Sequence, residues 1–316
     1  MNPPRGAPSA LPDGVLVVDK PAGISSFDVI RRLKPLLRRR KAGFVGTLDP
    51  FATGVLPLCI GEATKLADAL SEGGKGYVAT LRLGRATDSG DVSGTVVREA
   101  PVPLVAASEL ARVAGMFLGE IEQVPPMFSA VHVNGERLYE KARRGETVDR
   151  PSRRVTIEAL TLGPMSETDI GIEVRCSRGT YVRVLGEDIA RALGTEGHLT
   201  ALRRTHAGEF AIAVAGTLDA ILSEPQAAFP CFGVGLDALR LVGWSRLDLL
   251  PGGAGSVKHG GPILKRDILA HASGYAPGQP VSLYFARRLV ALGVGVDEGD
   301  IAARPTRVLV RADAAP

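Results

Sequence analysis

The spacing of apolar residues changes period several times along the chain. Residues 14-GVLVVDKPAG-23 form a β-branched run that stops at Lys20-Pro21 and Gly23, which predicts a strand and a turn. FDVIRRLKPLLRR has helical spacing with Ser25 or Ser26 placed to cap it, and Pro35 should kink or divide that helix. The run 55-VLPLCIG-61 predicts a short buried strand, and 62-EATKLADAL-70 a helix stopped by Gly73-Gly74. A strand over 77-YVATLRLG-84 leads through a polar turn to 94-GTVVRE-99. The segment 108-SELARVAGMFLG-119 predicts a helix capped by Ser108. The segment 127-MFSAVHVNGERLYEKARRG-145 predicts a strand, an Asn-Gly turn and a helix.

Residues 153-RRVTIEALTLG-163 and 170-IGIEVRCSRGTYVRVL-185 alternate like strands of one antiparallel sheet, and 186-GEDIARALG-194 has helical spacing. Strands and helices are mixed without regular βαβ alternation, so the expected class is α+β. Near residues 225–235 the texture becomes Pro/Gly-rich. Beyond it, VSLYFA, LVALGVGV and TRVLV are short strand-like pieces. The expected organisation is a loose tail over 1–13, a main domain over 14–232 and a small β-rich domain over 233–316.

With 316 residues, 45% of them hydrophobic, the chain can bury a sizeable core, and no apolar window is long enough for a membrane span. The N-terminus lacks the apolar core of a signal peptide. Cys59, Cys176 and Cys231 are widely spaced and offer no metal pair or disulfide framework, which fits a cytoplasmic bacterial-type protein. The five histidines have no metal-ligand spacing, and phosphate-loop, dinucleotide and nucleophile-elbow signatures are absent; neither metal nor cofactor is expected. The net charge of +4 is mild, but basic residues cluster in 31-RRLKPLLRRRK-41, in 137-RLYEKARRGETVDRPSRR-154 and in 202-LRRTH-206. Any one cluster alone fits a solvated face. Three beside Gly-rich loops point to a polyanionic partner.

The stretch 43-GFVGTLDPFATGVLPLCIG-61 carries a single carboxylate, Asp49, followed at once by Pro50. Gly43, Gly46 and Gly54 permit positive φ, and Pro50 stiffens the backbone. A rigid loop presenting one carboxylate suits a catalytic acid, base or nucleophile. An Asx-turn bonding only nearby backbone fits the same spacing. In 178-RGTYVRVL-185, Tyr181 and Arg183 lie two apart on an expected strand, hence on one face, where ring and guanidinium would form a platform for a nucleobase. An exposed cross-strand pair fits equally well.

Taken together, six segments resemble the bacterial tRNA pseudouridine synthases of the TruB family, which isomerise uridine 55 in the T-loop. They are VVDKPAGISSFDVI, KAGFVGTLDPFATGVLPLCIGEATKL, KGYVATLRLGRATDSGD, PPMFSAVHVNGERLYEKARRG, CSRGTYVRVLGEDIARALG and HLTALRRTHAGEF. They run in family order over about residues 14–210. The resemblance implies a mixed, mainly antiparallel sheet of the pseudouridine synthase fold with a PUA-like RNA-binding domain behind it. It assigns Asp49 as the catalytic aspartate, Tyr77 as the ring that stacks on the target base, and Arg183 as the partner of the carboxylate. It places Tyr181 and Leu202 in the base pocket, and puts Lys20, with Pro21, in a motif that supports the catalytic loop or contacts substrate.

Phe44 stands where the family usually has a histidine that helps displace the flipped base, and Phe128 where tyrosine is common. The implied partner is the T-arm of tRNA, bound by a monomer without cofactor. Two alternatives stay open: a non-catalytic RNA-binding or tRNA-chaperone protein on the same scaffold, and a family member acting on another RNA.

Overall fold

The computed structural model describes Leu11 and residues 13–128, 132–133, 136–137, 144, 148–224, 232–233, 244–269 and 275–309. The first strand is β1 (Gly14–Lys20), buried along nearly its whole length. Ser25 caps the helix Ser26–Leu37 in a reciprocal capping box with Asp28. Pro35 does not divide this helix, because Leu33, Leu36 and Leu37 are buried and hold the last turn. Then come β2 (Ala42–Phe44) and β3 (Thr53–Ile60), the expected buried strand. The helical segment after it opens as a 3₁₀ turn, Gly61–Leu66, before the helix Ala67–Ser71.

Next come β4 (Lys75–Leu83) and the hairpin β5 (Arg85–Thr87) and β6 (Val96–Glu99). The helix Ala107–Met116 is capped at Ala106 and not by Ser108, since the amides of Glu109 and Leu110 both donate to the Ala106 carbonyl and start the helix earlier. Beyond β7 (Gly119–Gln123) lies the antiparallel pair β8 (His132–Val133) and β9 (Glu136–Arg137), so a strand stands directly after Asn134-Gly135 where a helix was expected to begin. Residues 138–143 and 145 of that expected helix fall outside the described residues. The two long strands are β10 (Arg153–Pro164) and β11 (Asp169–Cys176).

The expected strand over 178–185 is not one. The β11 strand ends at Cys176, the chain turns through Gly179 at φ 83°, and a helix runs from Val182 to Ala192. Its buried residues Val182, Leu185, Gly186, Ile189 and Ala190 recur at helical spacing, and so short a stretch also reads as alternation. A Cβ on Gly186 would come within 2.9 Å of Leu199, so the glycine lets this helix lie directly on the sheet. Sequence inspection assigned no element to β12 (Gly197–Ala207), yet it lies in the middle of the sheet. The short strands β13 (Phe210–Ala211), β14 (Gly216–Thr217) and β15 (Phe232–Gly233) complete the sheet, with the helix Leu218–Ser223 between the last two.

The main sheet runs β14-β1-β3-β12-β4-β11-β10-β7, with β2, β13 and β15 at the side of β3, β12 and β1. Among the described strands its pairings are antiparallel except β1–β14 and β3–β12. The β3–β12 junction is tight. Gly54, at φ 102°, sits where a Cβ would lie 2.2 Å from the Arg204 carbonyl oxygen.

A second sheet, β16 (Ser245–Asp248), β17 (Ile263–Leu264), β18 (Pro280–Phe285), β19 (Arg288–Glu298) and β20 (Ile301–Val308), follows the order β16-β18-β19-β20-β17. It has its own core around Leu247, Val281 and Leu283. Tyr284, Leu289, Leu292 and Leu309 pack instead with Val15, Val17 and Val55 of the main sheet. Within the segment expected as a tail, Leu11 is buried and Asp13 accepts a hydrogen bond from Arg40.

Gly54→Ala should destabilise the protein by about 2 kcal/mol or more, because it combines left-handed strain with a backbone clash. Urea unfolding measures this. A loss under about 0.5 kcal/mol, the size of an ordinary surface change, would show that β3 and β12 can part at this point.

Candidate active site

The loop between β2 and β3 is held from several sides. The Ser26 hydroxyl donates to the Leu48 carbonyl at 3.1 Å and accepts from the Leu48 amide at 2.9 Å. The Gly23 amide donates to the Pro50 carbonyl at 2.8 Å. Lys20, with no exposed surface, donates from Nζ to the carbonyls of Pro21, Ile24 and Pro50. All three of these acceptors lie in the loops around Asp49, so Lys20 braces that backbone from beneath. Burial lowers its ammonium to about 8, against the opposing pull of Asp49. Asp49 itself heads a turn closed by the Ala52 amide on the Asp49 carbonyl, with Pro50 second in the turn.

The Asp49 carboxylate does not spend itself on nearby backbone. Its Oδ2 lies 2.9 Å from Arg183 Nε, and the side chain remains about a third exposed. Arg183 is buried at the start of the helix Val182–Ala192 and points in several directions at once. Its Nη1 donates to the Ser89 carbonyl at 2.5 Å and lies 3.5 Å from Asp91 Oδ2. Its Nη2 donates to the Phe128 carbonyl at 2.7 Å. The contact with Asp49 is therefore one-pronged, and Asp91 is a second carboxylate on the same guanidinium. Asp91 is in turn fixed by hydrogen bonds from Ser89 and Ser93. Burial pushes the Asp49 carboxyl above the usual range; the Arg183 charge opposes this and the Asp91 charge adds to it.

A cavity of about 330 Å³ opens over this pair. Thr47, Asp49, Tyr77, Tyr181, Arg183 and Leu202 line it, with Lys75 and Arg204. The structure thus brings together Asp49, Tyr77, Tyr181, Arg183 and Leu202, which sequence reasoning had put on four separate segments. Tyr77 and Leu202 are nearly buried and form its inner surface. Burial pushes the Tyr77 phenol up, opposed by Arg204, so the hydroxyl keeps its proton at neutral pH. Tyr181 caps the helix. Its amide donates to Gln123 Oε1 at 3.0 Å, Gln123 Nε2 donates back to its carbonyl at 3.3 Å, and Arg153 stands 5.5 Å over its ring. Phe44 does not line the cavity; it is half-buried on β2 opposite Leu58 and packs against the main core.

Sequence reasoning missed Arg204, Lys75, Asp91, Gln123 and Ser26. Arg204 was read as part of a phosphate-facing cluster, but it is fully buried. It donates from Nε to the Val55 carbonyl at 2.7 Å and from Nη2 to the Gly46 carbonyl at 2.9 Å. Gly46, at φ 72°, leaves room for it, since a Cβ there would lie 3.2 Å from Arg204 Nη1. Its neighbour Arg203 turns the other way onto Asp19. The signal was available in the step of two between Leu202 and Arg204, had β12 been recognised as a strand. Gly43 has no positive φ and needs none, lying within β2. The first basic run is solvent-facing, and Arg38, Arg39, Arg40 and Lys41 border a depression with Lys65.

Comparison with known proteins gives a consistent picture. The model of the TruB family pseudouridylate synthase (N terminal domain) matches residues 34–182. A tRNA pseudouridine synthase B of Burkholderia lata is 46% identical over 308 residues, spanning 96% of this chain and 92% of its relative. One of Psychrobacter cryohalolentis is 50% identical over 204 residues, spanning 63% of this chain and 57% of the relative. Among solved structures, a chain of a Cbf5-Nop10-Gar1 complex superposes with a TM-score of 0.71 at 26% identity, covering 95% of this chain and 86% of that one.

Lys20→Met should lower stability by about 2 kcal/mol or more, since three carbonyls lose a buried donor. The pH dependence has a definite sign. The Lys20 ammonium titrates near 8 when folded and at 10.5 in its ordinary state. Between these values the unfolded chain binds more protons, so the Lys20 contribution rises with pH. The stability gap between parent and variant should therefore widen in favour of the parent from about pH 8 to about 10.5. A gap in urea unfolding that is constant over that window would contradict a buried charged lysine.

Proposed function

This chain belongs to the TruB family of pseudouridylate synthases, and from that premise we propose that it converts uridine 55 in the T-loop of tRNA to pseudouridine. The observation that carries the reading is the Asp49–Arg183 pair at 2.9 Å, facing a cavity lined by Tyr77 and Leu202. The reaction breaks the N1–C1′ bond, turns the uracil and joins C5 to C1′, and the C5 proton is replaced by one on N1. No electrons or phosphate are exchanged. The arrangement therefore needs a carboxylate aimed at the ribose, a surface that keeps the detached base, and exclusion of water.

Asp49 supplies the carboxylate, either by attacking the nucleoside or by taking a ribose proton. Arg183 aims it and stabilises its charge, and it is itself steadied by Asp91 and two carbonyls. Tyr77 keeps the detached base through its ring, and Tyr181 offers a second ring lining the cavity. Leu202 keeps the intermediate dry. Lys20 and Ser26 act on the backbone of the loop, so they position Asp49 without touching substrate. The target base must leave its stack, which costs a few kcal/mol recovered from contacts to the folded loop. The solvent-facing run 31–41 and the C-terminal sheet, as a PUA-like module, would supply such contacts in a monomeric cytoplasmic enzyme.

Incubation with an unmodified tRNA transcript followed by pseudouridine mapping tests the reading. Modification at position 55 supports it; modification at another site alone, or none, sinks it. Asp49→Asn should abolish turnover while tRNA binding stays within about tenfold, because charge is lost and volume is not. Substantial residual isomerisation would remove Asp49 from the reaction.

Arg183→Lys should lower the rate by about a hundredfold or more. One ammonium cannot serve Asp49, Asp91 and two carbonyls at once. A lysine variant as fast as the parent would show that charge alone suffices. Because burial pushes the Asp49 carboxyl up, its ionised form is lost at a higher pH than for a free aspartate. The acid limb of kcat/KM should accordingly fall above about pH 4. An acid limb below that value would mean that Arg183 outweighs burial.

A further inference from the structure

Lys75 lies in the same cavity but has no part in the chemistry described above. It is two residues before Tyr77 on β4, so both side chains leave the strand on one face, about 6.8 Å apart along it. The cations around the cavity are not equivalent. Arg183 is engaged by Asp49, Asp91 and two carbonyls, and Arg204 by two carbonyls. Among the described residues, Lys75 Nζ donates to no protein acceptor. Its stem passes Gly46, with Cε 3.3 Å from the position a Cβ would take there. That brings the ammonium to the edge of the cavity formed by Gly46 and the exposed Thr47, while the deeper surface belongs to Tyr77 and Leu202. Burial, aided by the Arg204 charge, lowers it to about 8, so most molecules still carry the charge at neutral pH. A partly desolvated ammonium at a cavity mouth, with no protein acceptor, is arranged to receive an anion from outside.

We propose that Lys75 binds the phosphodiester next to the flipped nucleotide and so fixes the ribose over Asp49. This rests on the RNA-modifying function proposed above. A nucleotide whose base lies against Tyr77 must carry its backbone out across the cavity mouth. The step along β4 from Tyr77 to Lys75 is comparable with the reach from a nucleobase to its own phosphate. Uracil offers only neutral carbonyls, and those are directed inward with the ring. The phosphate is the anionic group left at the edge where Lys75 stands. Lys75 is thus a substrate-binding residue, and it works as a point charge that needs no bidentate geometry.

A T-arm stem-loop RNA carrying one methylphosphonate, either 5′ or 3′ of the target uridine, tests this against the parent, Lys75→Met and Lys75→Arg. Methionine keeps length and apolar stem, and melting temperatures check the fold. With the parent, one of the two methylphosphonates should weaken binding about tenfold. Lys75→Met should weaken binding of the unmodified RNA by a similar factor, lose that methylphosphonate effect and flatten the salt slope by about one unit. Lys75→Arg should restore both.

Additive losses for both methylphosphonates would overturn the proposal. So would a Lys75→Met effect that couples to 2-thio- or 4-thiouridine at the target, which would place Lys75 on a base carbonyl. A lowered melting temperature in Lys75→Met with an unchanged salt slope would make the residue a packing element, and would also overturn it. The two readings fail separately. Absence of pseudouridine with the parent enzyme removes the proposed activity, whereas the phosphate contact is read from binding alone.

Discussion

Arg183 is sunk beside the cavity with two carboxylates and two carbonyls around it. A buried guanidinium is tolerable only where its donors are taken up, and a carboxylate near the interior only where a cation stands by; removing one member of such a group costs about 3–5 kcal/mol. Each group here is thus a condition for the others. The helix Val182–Ala192 must begin where it does to deliver the guanidinium. The loop after β4 and β5 must return to bring Ser89 and Asp91 beneath it. Asp91 settles one side of the charge, and this leaves Nε aimed at Asp49.

The other half of the site is a backbone problem. The Asp49 loop, residues 45–52, has one internal turn bond and is otherwise held from outside. Lys20 and Gly23 hold Pro50, Ser26 holds Leu48, and Arg204 holds Gly46. These anchors come from β1, the turn after it, the first helix and β12. The parallel contact of β3 with β12, possible only because Gly54 has no side chain, brings Arg204 under the loop. Rigidity at Asp49 is therefore a property of the sheet order and not of the loop.

Cations near the cavity fall into two kinds. Arg183 and Arg204 are internal and satisfied, and they organise the protein. Lys75 borders the cavity, and Arg38, Arg39 and Lys41 face solvent beside Arg40, which is paired with Asp13. Net charge would not separate these kinds, because the mild excess of +4 sums both. Their separation depends on which strand face or helix end each residue occupies.

Local pattern determined much of this protein. The β-branched runs of β1 and β3, the Ser25 cap and the alternating β10 were legible because short-range periodicity and capping chemistry dictate them. Asp49 before Pro50 also stood out, and the residue blocks named the family. Tertiary structure alone decided the rest. The segment around Tyr181 and Arg183 alternates over too few residues to tell a strand from a helix, and burial against Leu199 settled it as a helix start. The β12 strand hid behind its charges, since Arg203 and Arg204 look like surface until each finds Asp19 or the Gly46 carbonyl far away in sequence. Lys20 looked able to meet substrate until the fold closed over it. Partners so distant along the chain leave no periodic trace, because pairing energy depends on where the sheet brings side chains together and not on the residues beside them.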